Sequence, residues 1–264
     1  MTKGNYFKIG KKIDIISEEE NRKIEYEILK KKCFNLIGVF ETSAKPPKSY
    51  STVSGNFDEQ GISLGILQWN LGQKTLQPLL IKFISENYEL AKTVFQDKFE
   101  DFKNMLTLNI EEQIHWGDLI SEPLYKRKII SDYEDIFDEL GKTQEFQAIQ
   151  IQAAQSYFDH AKKWFLTFDL KSERAFALMF DICVQNGGFK DETKNIIMDE
   201  VADKTELEKM ITIANRRAEA SGSRWIEDVR TRKLCIANGK GTVHGIYIEL
   251  ERDFGITVKD AFVC

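Results

Sequence analysis

Residues 44–80, AKPPKSYSTVSGNFDEQGISLGILQWNLGQKTLQPLL, cannot continue a helix, because Pro46-Pro47 and four glycines fall within them. Proline removes a backbone donor and clashes with the preceding turn, and glycine loses the most conformational freedom on folding. Short apolar stretches such as Ile62 to Trp69, bounded by glycine, predict small strands or tight turns. The segment reads as a loop, a small hairpin, and then a new helix starting near Thr75.

Helical periodicity dominates on either side. From Ser17 the chain offers a capping serine and acids in a first turn, then Ile24, Ile28, Leu29, Cys33, Leu36, Ile37 and Phe40 at spacings of three and four, the pattern of an amphipathic helix. Helices are further expected across 75–105, with Pro78 in a first turn, and around 111–141 with a break at Pro123. Others are expected at 143–168, from Arg174 to Val184 with a stop at Gly187-Gly188, and at 205–221 and 223–237. GKGTVHG reads as a loop. No period of 20 to 50 residues repeats and no Ser/Gly linker divides the chain. The expectation is one mainly α domain over residues 1–264, with lobes at 1–110 and 111–264.

Composition narrows the function. With 37 Lys+Arg against 42 Asp+Glu, the net charge of the 264 residues is -5, which argues against an electrostatic grip on nucleic acid. No run approaches the roughly 20 apolar residues that cross a bilayer, and the first thirty hold no signal-peptide core. A protein without a membrane partner is expected, cytoplasmic until released or exported by another route, and monomeric. Cys33, Cys183, Cys235 and Cys264 form no CxxC pair, and His115, His160 and His244 are the only histidines. Reduced thiols, no metal and no cofactor follow as expectations.

Chemistry is sought in two carboxylates. Glu41 ends the buried part of the Ser17 helix, after Val39-Phe40. Partial desolvation there would favour a protonated carboxyl, whereas a solvated helix end would not. Asp58, seventeen residues on, lies in the Gly-rich turn GNFDEQG, wet and suited to remain ionised, or simply a turn residue. An acid and a base in unlike surroundings are what glycosidic hydrolysis needs.

The text around them, GVFET and then DEQGISLGILQWNLG, resembles the lysozyme-like chitosanases of glycoside hydrolase family 46. IQIQAAQSYFDHAKKWFLTFDLKSERAFALMFDICVQNGG is similar to that family's paired helices, although Asn186-Gly187 stands where the family has His-Gly. The arginine-rich run before GKGTVHG continues the likeness, which spans residues 34–250. It implies a lysozyme-like, two-lobed, mainly α fold with a small β-hairpin beside a cleft. The activity it implies is inverting hydrolysis of a β-1,4-linked amino-sugar polymer of chitosan type. Glu41 would be the general acid and Asp58 the general base. Ser63 would position the water, where the family usually has Thr. Inversion implies carboxyls roughly 6.5 to 9.5 Å apart.

Gln68, Trp69 and Asn70 would then line the floor of the cleft, with Trp69 alternatively packing the hairpin onto the helix. The family's acidic residue after the motif, which holds a protonated amino sugar, aligns with Thr75, so a less anionic cleft is expected. That leaves room for N-acetylated polymers such as peptidoglycan glycan, cleaved by a lysin of phage or secretion-system type. A glycan-binding module that has lost catalysis is the alternative from another class. His244 reads as structural or substrate-touching. Arg216, Arg217, Arg230 and Arg232 read as surface ion pairs or as partners of buried acids such as Asp181. The run from Lys11 to Lys32 reads as a solvated helix face.

Overall fold

The structure, a computed structural model, describes residues 17–263 in full and residues 6–9 and 12–15 by their backbone. In chain order the first elements are β1 (Tyr6–Ile9), β2 (Lys12–Ile15), α1 (Glu18–Thr42), α2 (Lys48–Ser51), β3 (Val53–Ser54), β4 (Ser63–Leu64) and β5 (Trp69–Asn70). Helices follow: α3 (Gln77–Glu86), α4 (Tyr88–Phe95), α5 (Phe99–Thr107), α6 (Ile110–Leu119), α7 (Ser131–Lys142), α8 (Gln144–Ala153) and α9 (Gln155–Thr167). The chain closes with α10 (Glu173–Asn186), α11 (Asp191–Val201), α12 (Glu206–Glu219), α13 (Ile226–Asn238), β6 (Lys240–Val243), β7 (Ile246–Glu249) and α14 (Leu250–Phe254). The fold is mainly α with short antiparallel sheets. No helix among the described residues is long and apolar enough to cross a membrane.

Two compact units divide the chain, one of residues 34–155 and one of residues 1–33 with 156–264. The division falls inside α1 and at the start of α9, not at residue 110. Cys264 and the side chains before Ser17, including the start of the Lys11–Lys32 run, lie outside the described residues. Within that run Lys30 is buried beneath the ring of Phe158, so the helix face is solvated only in part.

Helix α1 starts as its sequence predicts. Ser17 Oγ accepts from the Glu20 amide while the Glu20 carboxylate accepts from the Ser17 amide, at 3.2 and 3.0 Å, a reciprocal cap that satisfies two orphan donors. In the 34–155 unit the core is aromatic. Phe95 stacks on Phe102 at 4.3 Å, Phe102 meets Phe137 and Trp116 edge-on, and Phe83 meets Phe95 and Phe146. Asp101 accepts from both Trp116 Nε1 and the Tyr133 hydroxyl, at 2.8 and 2.7 Å, so the buried Trp116 and the half-buried Tyr133 pack on the core without stranding a donor. Pro78 sits in the first turn of α3, where its missing N–H costs nothing.

The other unit centres on α10, which is buried along most of its length. Phe180 stacks on Phe158 at 4.1 Å, and α10 stops at Gly187 in the left-handed conformation, as the Gly-Gly pair predicts. Glu173 is almost fully buried and ties this unit's distant segments together. It accepts from Lys32 Nζ at 2.9 Å and from the Thr257 amide at 2.9 Å.

Two expectations differ from the structure. The helix expected over 143–168 is two, α8 and α9, parting at Ala154, whose amide reaches back to three carbonyls at once. GKGTVHG is not a plain loop. Lys240–Val243 pairs with Ile246–Glu249 through a His244-Gly245 turn with φ of 50° and 80°, the left-handed pair whose twist suits a two-residue hairpin.

Candidate functional site

Five of the seven residues singled out in the sequence belong to the three-stranded sheet β3-β4-β5 or to its turns. Ser54 faces Ser63 and Ser63 faces Asn70, while Leu64 lies between Val53 and Trp69. Alternation then turns Leu64 into the core and leaves Ser63 half-exposed on the other face. All seven residues lie in the 34–155 unit.

Glu41 is positioned by the periodicity of α1. Phe34 packs on Tyr50 and Trp69, with ring centroids 5.8 and 6.3 Å away. One turn on, Gly38 approaches the sheet so closely that a methyl group there would come within 2.9 Å of Ile66 Cδ1 and 3.0 Å of Ser49 Oγ. Glu41 is next on the same face, three residues beyond Gly38. It is exposed, so in this structure the carboxyl lacks the half-buried setting its sequence neighbours suggest. The apolar residues before it turn inward, and Glu41 is the first position past the close contact.

Asp58 sits exposed in the turn between β3 and β4, as a wet carboxylate should, and accepts from the Gln60 amide at 3.2 Å. The turn is braced from below. Asn56 is buried, donates its side-chain amide to Asp118 at 2.8 Å, and accepts from the Gly61 amide at 2.7 Å. Its own backbone amide donates to Ser121 Oγ at 2.9 Å. The Lys126 ammonium and then the Asn56 amide hold the Asp118 carboxyl below the usual carboxylate range. These braces escaped sequence reasoning, since Asn56 and Asp118 are 62 residues apart and each looks like an ordinary turn or helix-end residue.

Ser63 Oγ accepts from Asn70 Nδ2 at 2.9 Å and keeps its own proton to donate. The other candidates spend much of their polarity inside the sheet. Asn70 is buried, and its side-chain oxygen also accepts from the Gln73 amide at 3.1 Å. Thr75 Oγ1 accepts from the Asn70 amide at 2.8 Å. Gln68, with φ of 52°, donates to the Gly65 carbonyl at 2.8 Å and accepts from Ser54 Oγ at 3.1 Å. Trp69 is half-buried and packs on Phe34 and the core, the packing alternative of the sequence reading.

Gln150, missed in the sequence, clamps the β4–β5 turn. It is fully buried, accepts from the Ile66 amide at 3.2 Å and donates to the Tyr50 carbonyl at 2.8 Å. Nothing in the glutamine-rich run QEFQAIQIQAAQ separates this glutamine from its solvated neighbours.

In the other unit the pairing of arginine with Asp181 is real for Arg232. Its Nε lies 2.6 Å from the carboxylate, and Lys233 Nζ lies 2.8 Å from the second oxygen. Burial alone would raise Asp181, but these two cations outweigh it and hold the carboxyl below its usual range. Arg216 pairs with Glu200 and Glu219, and Arg230 with Glu227. His244 bonds Asp228 at 2.9 Å. Cys183 and Cys235 are free and buried, and burial pushes each thiol up to about 12, which suits packing and not nucleophilic chemistry.

The candidate site is thus a short sheet and its turns carrying hydroxyl, amide and carboxylate groups, with the end of α1, which carries Glu41, following the turn of helix that packs on it, within a mainly α chain. Among solved structures the chain is similar to the crystal structure of native chitosanase from Bacillus subtilis MY002. Identity is 15%, over 90% of this chain and 96% of that one, with a TM-score of 0.44. No protein-family model matches the chain, and no curated protein matches it in sequence. A likeness at this level leaves the chemistry to the chain's own residues.

Proposed function

We propose that the chain is a glycoside hydrolase that cleaves a β-1,4-linked amino-sugar polymer with inversion. The observation that carries the reading is the shared face of α1. Phe34 and Gly38 seat it against Trp69 and Ile66 of the sheet and its turn, and Glu41 lies on that same face of the helix one turn further on. The resemblance of the motif to lysozyme-like chitosanases assigns the roles. Protonated Glu41 gives its proton to the glycosidic oxygen as the bond to the anomeric carbon breaks. Asp58 takes a proton from the water that attacks the opposite face of that carbon, and the Ser63 hydroxyl orients this water. Since Glu41 is exposed, water is excluded from around it only when the polymer lies over it.

Replacing Glu41 by Gln or Asp58 by Asn abolishes release of reducing ends while the circular dichroism of the chain is kept. Most activity surviving either change removes that residue from its role. The exposure of Glu41 favours one second reading, a glycan-binding module without catalysis. Polymer binding with no hydrolysis by the unaltered chain selects it.

Which polymer is bound turns on Thr75. A carboxylate there would hold an ammonium group, but this side chain is a neutral hydroxyl that closes the turn after β5. The fit to a polycationic chitosan is weakened and that to an N-acylated strand, such as peptidoglycan glycan, is strengthened. Reducing-end release from chitosan, measured beside turbidity loss of purified cell walls, separates the two.

A further inference from the structure

Beside the Asp58 turn stands a short finger, residues 121–129. Its base is the bridge between Ser121 and Ile129, and the Glu122 amide donates to the Lys128 carbonyl at 2.9 Å. It is locked to the hairpin, since the Gly55 amide donates to the Arg127 carbonyl at 3.1 Å. The fit leaves no slack: a methyl group on Gly55 would lie 2.5 Å from the Lys126 carbonyl oxygen and 2.7 Å from that of Lys128.

What the finger presents is unusual for a surface. Leu124 and Tyr125 at its tip are 79% and 71% exposed, the two most exposed large apolar side chains among the described residues. Phe57, immediately before Asp58, is half-exposed, and the Arg127 guanidinium lies over its ring, 5.4 Å from the centroid. Scattered apolar side chains on a surface need no explanation, but a cluster rimmed by polar groups marks a binding surface. Arg127 makes no ion pair among the described residues, so its donors are uncommitted while its position is fixed by the ring beneath it. Lys128 next to it is equally unpaired, and Glu59 and Glu122 share the surface. The surface is therefore not uniformly cationic, and what it offers is one oriented fork of donors.

We propose that Phe57 and the 121–129 finger extend the site into a substrate-reading surface on which Arg127 binds a carboxylate borne by an N-acylated amino-sugar polymer. Tyr125 and Phe57 supply apolar faces for sugar rings. A planar guanidinium matches a carboxylate with two parallel hydrogen bonds and repels an ammonium. This rests on the glycan-hydrolase reading and gives it a substrate class, a strand carrying acidic substituents.

The test compares three probes: purified peptidoglycan, whose strands carry carboxylates; an N-acetylated chitin oligosaccharide, which is neutral; and chitosan, which is cationic. For the unaltered chain, kcat/KM is expected to be highest on peptidoglycan and lowest on chitosan. Arg127→Gln lowers the peptidoglycan-to-oligosaccharide ratio of kcat/KM about five-fold, the size of a charge-assisted hydrogen bond at an exposed site. Lys103→Gln, which removes an equal charge from α5, leaves the ratio unchanged. Raising the ionic strength from roughly 0.05 to 0.5 M narrows the ratio for the unaltered chain and not for R127Q. Preference for chitosan, or an equal effect of R127Q on all three probes, overturns the proposal while hydrolysis itself still stands. If nothing is hydrolysed, the hydrolase reading fails. Retention of the chain on sacculi then decides the surface: R127Q-sensitive binding supports it, and binding indifferent to R127Q, or none, overturns it.

Discussion

Gly65→Ala places a methyl group where the β4–β5 turn has no room for one. Gly65 has φ of 81°, and the added carbon would lie 2.4 Å from Gln150 Oε1 and 2.8 Å from its Cδ. The backbone conformation alone costs about 1 kcal/mol for an L-residue. The clash also pushes the Gln150 amide out of place, which releases two buried bonds, to the Ile66 amide and the Tyr50 carbonyl. Losing a buried partner of that kind costs about 1–3 kcal/mol, so the total for Gly65→Ala is about 2–4 kcal/mol. Gln150→Ala makes the same loss without the strain, at about 1–3 kcal/mol. Once Gln150 is shortened, the three atoms nearest the methyl group at position 65 are gone, and the double variant should lie only about 1 kcal/mol below Gln150→Ala. Urea unfolding followed by tryptophan fluorescence reads all four chains, and hydrogen exchange at the Ile66 amide reads the turn itself. Additive losses in the double variant would refute the clamp.

Further expectations concern the site and its braces. Ser63→Ala should slow hydrolysis by about ten-fold, less than either carboxylate change, because water orientation is lost while both proton transfers remain; kcat measured on a soluble oligosaccharide checks it. Asp181→Asn leaves two buried cations facing a neutral amide and should destabilise the chain by about 3–5 kcal/mol in a thermal melt. Asp118 has a depressed carboxyl, so the stability it contributes is present above its unfolded value near pH 4 and is lost as pH falls through the lower folded value. Melts of Asp118→Asn between pH 5 and 2 should therefore fall less steeply than those of the unaltered chain. Gly55→Ala should unseat the finger and reduce the substrate discrimination that depends on Arg127, read with the same polymer pair.

Local signals made much of the fold legible. Ser17 with Glu20, Pro78 in a first turn, and Gly187 after an apolar helix each act within a few residues, so the letters carry them directly. The hairpin of 44–80 was visible for the same reason, because proline and glycine exclude a helix wherever they fall. What stayed hidden depends on residues far apart in the chain. The close approach of Gly38 to Ile66 joins segments far apart in the chain, and so does the bracing of the Asp58 turn by Asn56, Asp118 and Ser121. Gln150 is one glutamine among several until Tyr50 and Ile66 close around it. The β6–β7 hairpin was hidden in another way: GTVHG contains no Asn-Gly or Asp-Gly signal, and a histidine takes the left-handed place that those residues usually fill.

One feature of the chain's path bears on how it is made. The 34–155 unit is an insertion within the other, whose first and last segments meet where Lys32 grips Glu173, 141 residues away. During synthesis the inserted part can close its aromatic core as soon as it emerges, whereas the enclosing part must hold its opening helix in waiting until the closing strand-and-helix segment arrives. Glu41, Asp58 and Ser63 are all encoded in the early-finishing portion. A ribosome stalled beyond residue 155 would therefore already carry all three groups of the proposed mechanism, on a chain whose other unit still lacks its second segment.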